Sequence, residues 1–202
     1  MRTPPDPFTA QEEILPAGSG LFRVHTNTRR ATRFNDGHGA PTRFAFFGDP
    51  VVPVLYAGST EDVAVSETLL HDVPLAGGAL LPHAYERTVM SRVVPARPLR
   101  LAKFRGTGLR ALGAEAADIS DTEADAYPDT VRWAQAAHEA GFDGCAWTSR
   151  RCNDGAAYVL FGDRVASSDL AEDASFARAF LLPHDLGWLR DFCAPLRVRV
   201  LA

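Results

Sequence analysis

No apolar run in this 202-residue sequence approaches the roughly 20 residues that a membrane span requires. The opening MRTPPDPFTAQEEILP carries prolines and acids where a signal peptide needs an unbroken apolar stretch, so residues 1–19 read as a flexible or surface-laid arm. Cysteine is scarce. Cys145, Cys152 and Cys193 are odd in number and lack the paired CxxC spacing of a zinc or redox site, which predicts a reduced, cytoplasmic chain with its thiols used in packing. The six histidines show no metal-ligand spacing such as HExxH, and no metal is expected. There is no positive surplus: a net charge of −4 and a pI near 5.8 argue against direct nucleic-acid binding, so any anion site must be local. GxSxG is missing. In FRGTGLRALG, residues 104–113, the third glycine comes too late for a dinucleotide fingerprint, and no Walker lysine-serine follows.

What is present is the balance of an ordinary globular domain, with 46% hydrophobic and 23% charged residues. LFRVH (21–25) and VLYAG (54–58) have strand composition, and the glycine- and arginine-rich connection between them is long for an idle loop. The next segment reads as a helix, with Ser59 and Thr60 as candidate caps, Asp62 placed as in a capping box, and Pro74 as its stop. TVMSRVVP (88–95) and LRLAKF (99–104) predict strands, and Tyr127 to Ala140 a helix closed by Gly141. GCAWTS (144–149) and AAYVLFG (156–162) resemble a hairpin around RRCNDG, and LRVRVLA a final half-exposed strand. This mixture predicts an α+β or α/β domain rather than a regularly alternating, doubly wound sheet.

Three constellations carry chemistry. Glu67 falls within the apolar sector of its helix, four residues after Val63 and three before Leu70, where a carboxylate needs a partner or a purpose. It either escapes to solvent or an ion pair, or stabilises positive charge in a cleft. Arg23, Arg29, Arg30, Arg33 and Arg43 make a positive island suited to phosphate, unless they are scattered surface pairs; Arg23, inside a strand, must project from a sheet face. Trp147, Ser149 and Asn153 stand at the hairpin turn, where Ser149 has no adjacent histidine and is a hydrogen-bonding or plain turn serine. Tyr56 is either core or a flat-ligand contact. The acidic stretch Glu115 to Asp129 reads as a solvated loop or a face for a basic partner.

FRVH around Arg23, TRFAFF around Arg43, VLYAGSTEDVAVSETLLHDVP around Glu67 and GCAWTSRRCNDGAAYVLFGDRV around Ser149 together resemble the RES domain of bacterial toxin-antitoxin systems. The resemblance covers residues 20–166 and leaves 167–202 as a C-terminal extension packed on the same domain. It implies a compact ADP-ribosyltransferase-like fold, a mixed β core flanked by helices. It also implies an enzyme that degrades NAD, by phosphorolysis or as a glycohydrolase, with no permanently bound cofactor. NAD is then the substrate and inorganic phosphate the co-substrate, and an Xre-type antitoxin is the partner covering the site. Arg23, Glu67 and Ser149 match the arginine, glutamate and serine that name the family. Arg43 and Arg23 are then expected on pyrophosphate or the attacking phosphate, Tyr56 and Ser149 at the nicotinamide end, and Trp147 and Asn153 among the substrate contacts. Mono-ADP-ribosyl transfer to a macromolecule and a silent nucleotide- or antitoxin-binding module remain alternatives, and a homo-oligomer is left open.

Overall fold

The computed structural model describes residues 1–201. Its strands are β1 (Glu12–Leu15), β2 (Leu21–Thr26), β3 (Val54–Gly58), β4 (Gly78–Leu80), β5 (Thr88–Pro95), β6 (Leu99–Phe104), β7 (Gly144–Thr148), β8 (Ala156–Phe161), β9 (Leu170–Ala179) and β10 (Val198–Val200). The helices are α1 (Glu61–Thr68), α2 (Pro82–Tyr85), α3 (Thr107–Ala111), α4 (Ala116–Ile119), α5 (Tyr127–Glu139) and α6 (Pro183–Cys193). None of them is long and apolar enough to cross a membrane.

Eight strands form one sheet in the order β1-β6-β7-β8-β3-β2-β5-β9, while β10 pairs in parallel with β4 apart from it. Within the large sheet only β6 and β7 run parallel. Side-chain alternation decides how its two faces are filled. In β8 every residue is buried: Ala156, Tyr158 and Leu160 join one apolar cluster, Ala157, Val159 and Phe161 another. The first cluster draws on all eight strands, from Leu15 on one edge to Leu170 on the other, and includes no helix residue. A flat sheet would leave that face in water, so its burial requires the sheet to curl around its own side chains. The outer face is covered by helices. Trp133, Ala134 and Ala137 of α5 pack over β6 to β8, and Ala64 and Val65 of α1 pack with Leu189 of α6 over β2 and β5. The α+β expectation, a mixed β core flanked by helices, holds.

Several local expectations shift. Thr60 alone caps α1, its side chain accepting from the Val63 N–H at 3.2 Å, whereas Ser59 Oγ accepts from the Ala156 N–H at 3.0 Å and ties the cap to β8. The helix ends at Thr68, well before Pro74, because the Leu69 and Leu70 N–H groups both turn back to the Val65 carbonyl. Residues 1–19, read as an arm, contain β1, an edge strand registered from Glu12↔Ala102 to Leu15↔Leu99. Residues 167–202 supply β9, the opposite edge of the same sheet, together with α6 and β10.

One irregularity matters for the site. β2 and β3 share a single registered pair, Phe22↔Gly58, and beyond it they separate. Asn35 takes over, exchanging both backbone hydrogen bonds with Val54 at 2.7 and 2.8 Å, so the long connection after β2 is drawn across the gap.

Candidate active site

The gap between β2 and β3, the inner side of α1 and the start of α5 enclose a cavity of about 560 Å³. That is within the size of small-molecule sites. Its apolar wall is aromatic, with Phe22, Tyr56, Trp147 and Tyr127, and its polar wall holds Arg23, Arg43 and Glu67.

Glu67 is half-buried, because α1 turns Val63, Ala64, Val65 and Ser66 into the protein and the carboxylate follows one step on. Its Oε1 accepts from Ser149 Oγ at 2.6 Å. Ser149 is fully buried, and its Oγ also accepts from the Cys152 N–H at 3.0 Å while its own N–H donates to the Gly155 carbonyl. The proton and an acceptor position of that hydroxyl are thus committed inside the protein. Ser149 does not line the cavity; within the site its hydroxyl contacts the Glu67 carboxylate.

Arg43 is buried at 7% exposure, its guanidinium donating to the Thr122 hydroxyl and, at 3.2 Å, to the Thr122 carbonyl, 5.4 Å from the centre of the Tyr127 ring. Burial pulls its pKa down, and the Tyr127 and Glu67 groups partly offset this. Arg23 donates through Nη1 to the carbonyls of Ala31 and Arg33, the latter at 2.8 Å, holding the connection where it crosses the gap. Burial, helped by the nearby Arg29 charge, lowers it to about 10. Among the described residues neither guanidinium makes a salt bridge, so the cavity wall carries two desolvated cations with donors facing neutral acceptors.

Tyr56 projects from β3 into the cavity, but its hydroxyl is engaged, 2.9 Å from Thr42 Oγ1 and accepting from the Phe44 N–H at 3.1 Å. Burial pushes the phenol pKa up, so the residue offers a neutral ring edge-on to Trp147 at 6.1 Å. Trp147 is 2% exposed, and its Nε1–H has no partner among the described residues.

Asn153 is exposed on the hairpin turn and lines no part of this cavity. Arg29, Arg30 and Arg33 line a separate open basin of about 840 Å³ with Ser167 and Ser168. Residues that the sequence did not single out complete the site. A second chamber of about 230 Å³ shares Arg43, Glu67, His71 and Tyr127 with the cavity and adds Arg150 and Arg151. His71 bridges the Asp72 carboxylate at 2.7 Å and the Tyr127 hydroxyl at 3.1 Å. The available signals were weak: a tyrosine opening a helix, and two arginines directly after Ser149 in a turn.

A fixed carboxylate facing buried cations across an aromatic-lined cavity can hold an anionic ligand at one end and stabilise developing positive charge at the other. The comparisons agree with this placement of the fold. The chain is similar, with a TM-score of 0.57 and 14% identity, to a chain in the crystal structure of the M. tuberculosis MbcT-MbcA toxin-antitoxin complex, over 81% of this chain and 85% of that one. No curated protein matches the sequence. The RES domain profile matches residues 20–180, past the limit of 166 expected from the sequence and through β9, and with that span covered the chain belongs to the RES domain family.

Proposed function

We propose that the chain cleaves NAD at the nicotinamide-ribose bond and passes the ADP-ribosyl group to inorganic phosphate. The observation that carries this reading is the Ser149-bonded carboxylate of Glu67 on the wall of a cavity that also presents Arg23 and Arg43 without carboxylate partners among the described residues. As the glycosidic bond breaks, its electron pair goes to the ring nitrogen and nicotinamide leaves neutral. The ribose becomes oxocarbenium-like, and the Glu67 carboxylate stabilises that charge. A phosphate oxygen then forms the new bond to the anomeric carbon, giving an ADP-ribose phosphate ester; with water in its place the product is ADP-ribose. Tyr56 supplies a ring face to the nicotinamide end, and the arginines hold the phosphates.

In the cell this activity makes the chain a toxin, held in check by an Xre-type antitoxin that covers the cavity. The toxin-antitoxin complex seen for the structural relative supports that partnership. The test is incubation of the purified chain with NAD, with and without phosphate. Nicotinamide release that depends on phosphate is expected. Release without phosphate identifies a glycohydrolase, label on a macromolecule identifies mono-ADP-ribosyl transfer, and no turnover with intact folding refutes the enzymatic reading.

A further inference from the structure

The smaller chamber beside Glu67 has a peculiarity of its own: two of its cations, Arg43 and Arg150, are occupied by one short stretch of this chain. Arg150 donates from Nη1 to the Thr122 carbonyl at 2.9 Å, its Nε lies 2.8 Å from Asp121 Oδ1, and its Nη2 meets the Glu123 carboxylate. Arg43 grips the same Thr122 from the other side. Two guanidinium forks therefore close on residues 121–123. The carboxylates that answer them are loosely held, with side chains 59% and 71% exposed against 23% for Arg150. Exposed pairs of this kind contribute little. The chamber's volume of about 230 Å³ suits one tetrahedral oxyanion with a few waters, at roughly 30 Å³ per water.

We infer that Arg150, with Arg43, forms a phosphate-oxyanion subsite next to Glu67, and that Asp121 and Glu123 are its resident competitors, exchanged for the ligand when it binds. A phosphate offers a guanidinium the same bidentate geometry as a carboxylate with more charge. The segment released by this exchange carries Ala124, which lines both chambers, so binding in the smaller chamber changes the wall of the larger one. The oxyanion is either free phosphate or the pyrophosphate of the dinucleotide. The inference rests on the proposed NAD chemistry only in that choice of ligands.

Calorimetric titration of the full chain with inorganic phosphate in one arm and ADP-ribose in the other tests it without needing turnover. Asp121→Asn/Glu123→Gln should tighten binding in at least one arm by about tenfold, and Arg150→Gln should weaken the same arm by about as much. A change confined to the phosphate arm assigns the subsite to the free anion, a change confined to the ADP-ribose arm to the pyrophosphate, and changes in both to a shared position. If Asp121→Asn/Glu123→Gln tightens neither, the inference is overturned, whether or not Arg150→Gln folds. Failure of the parent to release nicotinamide would sink the proposed reaction while leaving the phosphate arm standing; normal release with both arms unmoved would sink the subsite alone.

Discussion

Ser149→Ala is the most informative perturbation because the serine lies off the cavity wall and hydrogen-bonds Glu67, which is on it. Its hydroxyl, on a fully buried residue, makes a charge-assisted bond to Oε1 of the half-buried Glu67 at 2.6 Å and accepts from the Cys152 N–H at 3.0 Å. Losing the first forfeits about 1.5–3 kcal/mol, and leaving the Cys152 N–H short of its acceptor adds to that, so the variant should unfold with about 2–4 kcal/mol less stability. The carboxylate itself remains, freed to move by an ångström or so, and misplacement on that scale costs about 10²-fold in rate. Turnover should therefore fall about 10- to 100-fold with little change in KM, since Ser149 does not line the cavity. Glu67→Gln keeps the shape and removes the charge; it should stay within about 1 kcal/mol of the parent's stability and lose about 10²–10³ in kcat. The double variant separates a positioning role from a direct one. If Ser149 works only by holding Glu67, Ser149→Ala should cost nothing further once Glu67→Gln is in place. Steady-state kinetics of the four proteins by nicotinamide release gives the answer, and losses that multiply would show that Ser149 meets the substrate itself.

Arg43→Ala should raise the KM for NAD by tenfold or more, while Arg29→Ala and Arg30→Ala, whose side chains line the separate basin, should change it by less than about threefold; equal losses would mean a diffuse field. Tyr56→Phe strips the Phe44 N–H of its acceptor and should cost about 1–3 kcal/mol in denaturant unfolding, with kcat less affected, and an unchanged midpoint would contradict the hydrogen bonds drawn for it. Burial lowers Arg23 to about 10, so the folded state is penalised at lower pH and relieved of that penalty as pH rises from about 10 toward the ordinary arginine value. Losing that cation also weakens anion binding, so ADP-ribose affinity should drop above pH 10 in the parent and stay flat across that range in Arg23→Gln. At Gly58 a Cβ would lie 2.8 Å from the Ala64 backbone nitrogen, so Gly58→Ala must push α1 off the sheet, and with it Glu67; a loss of about 1–3 kcal/mol accompanied by a fall in kcat is expected, and parent-like kinetics would show that the helix can move without carrying its carboxylate.

How much of this could be read from the residues follows from how local each signal is. Glu67 was legible because helix geometry alone puts it among Val63, Ala64 and Leu70. The central strands were legible because β3 and β8 are buried on both faces and read as continuous apolar runs. The edge strands were not. β9 mixes two adjacent acids with small residues and has half of its residues exposed, and β1 is EEIL, so neither has the composition of a strand until the sheet curls and Leu15 and Leu170 meet a common core. The second chamber was hidden for the same reason at larger range: Arg43, His71, Thr122 and Arg150 come from four separate connections, and no periodicity links them. Ser149 lies between these cases. Its neighbourhood in the sequence is an ordinary turn, and only the approach of α1 to the β7-β8 hairpin converts a turn hydroxyl into the group that holds a carboxylate. The tight fit that brings them together is itself written in small residues, since Gly58 and Gly155 are where Val63 of α1 comes too close for any side chain, 2.8 and 2.2 Å from where a Cβ would stand. The geometry of the acid is therefore set by two glycines as much as by the serine.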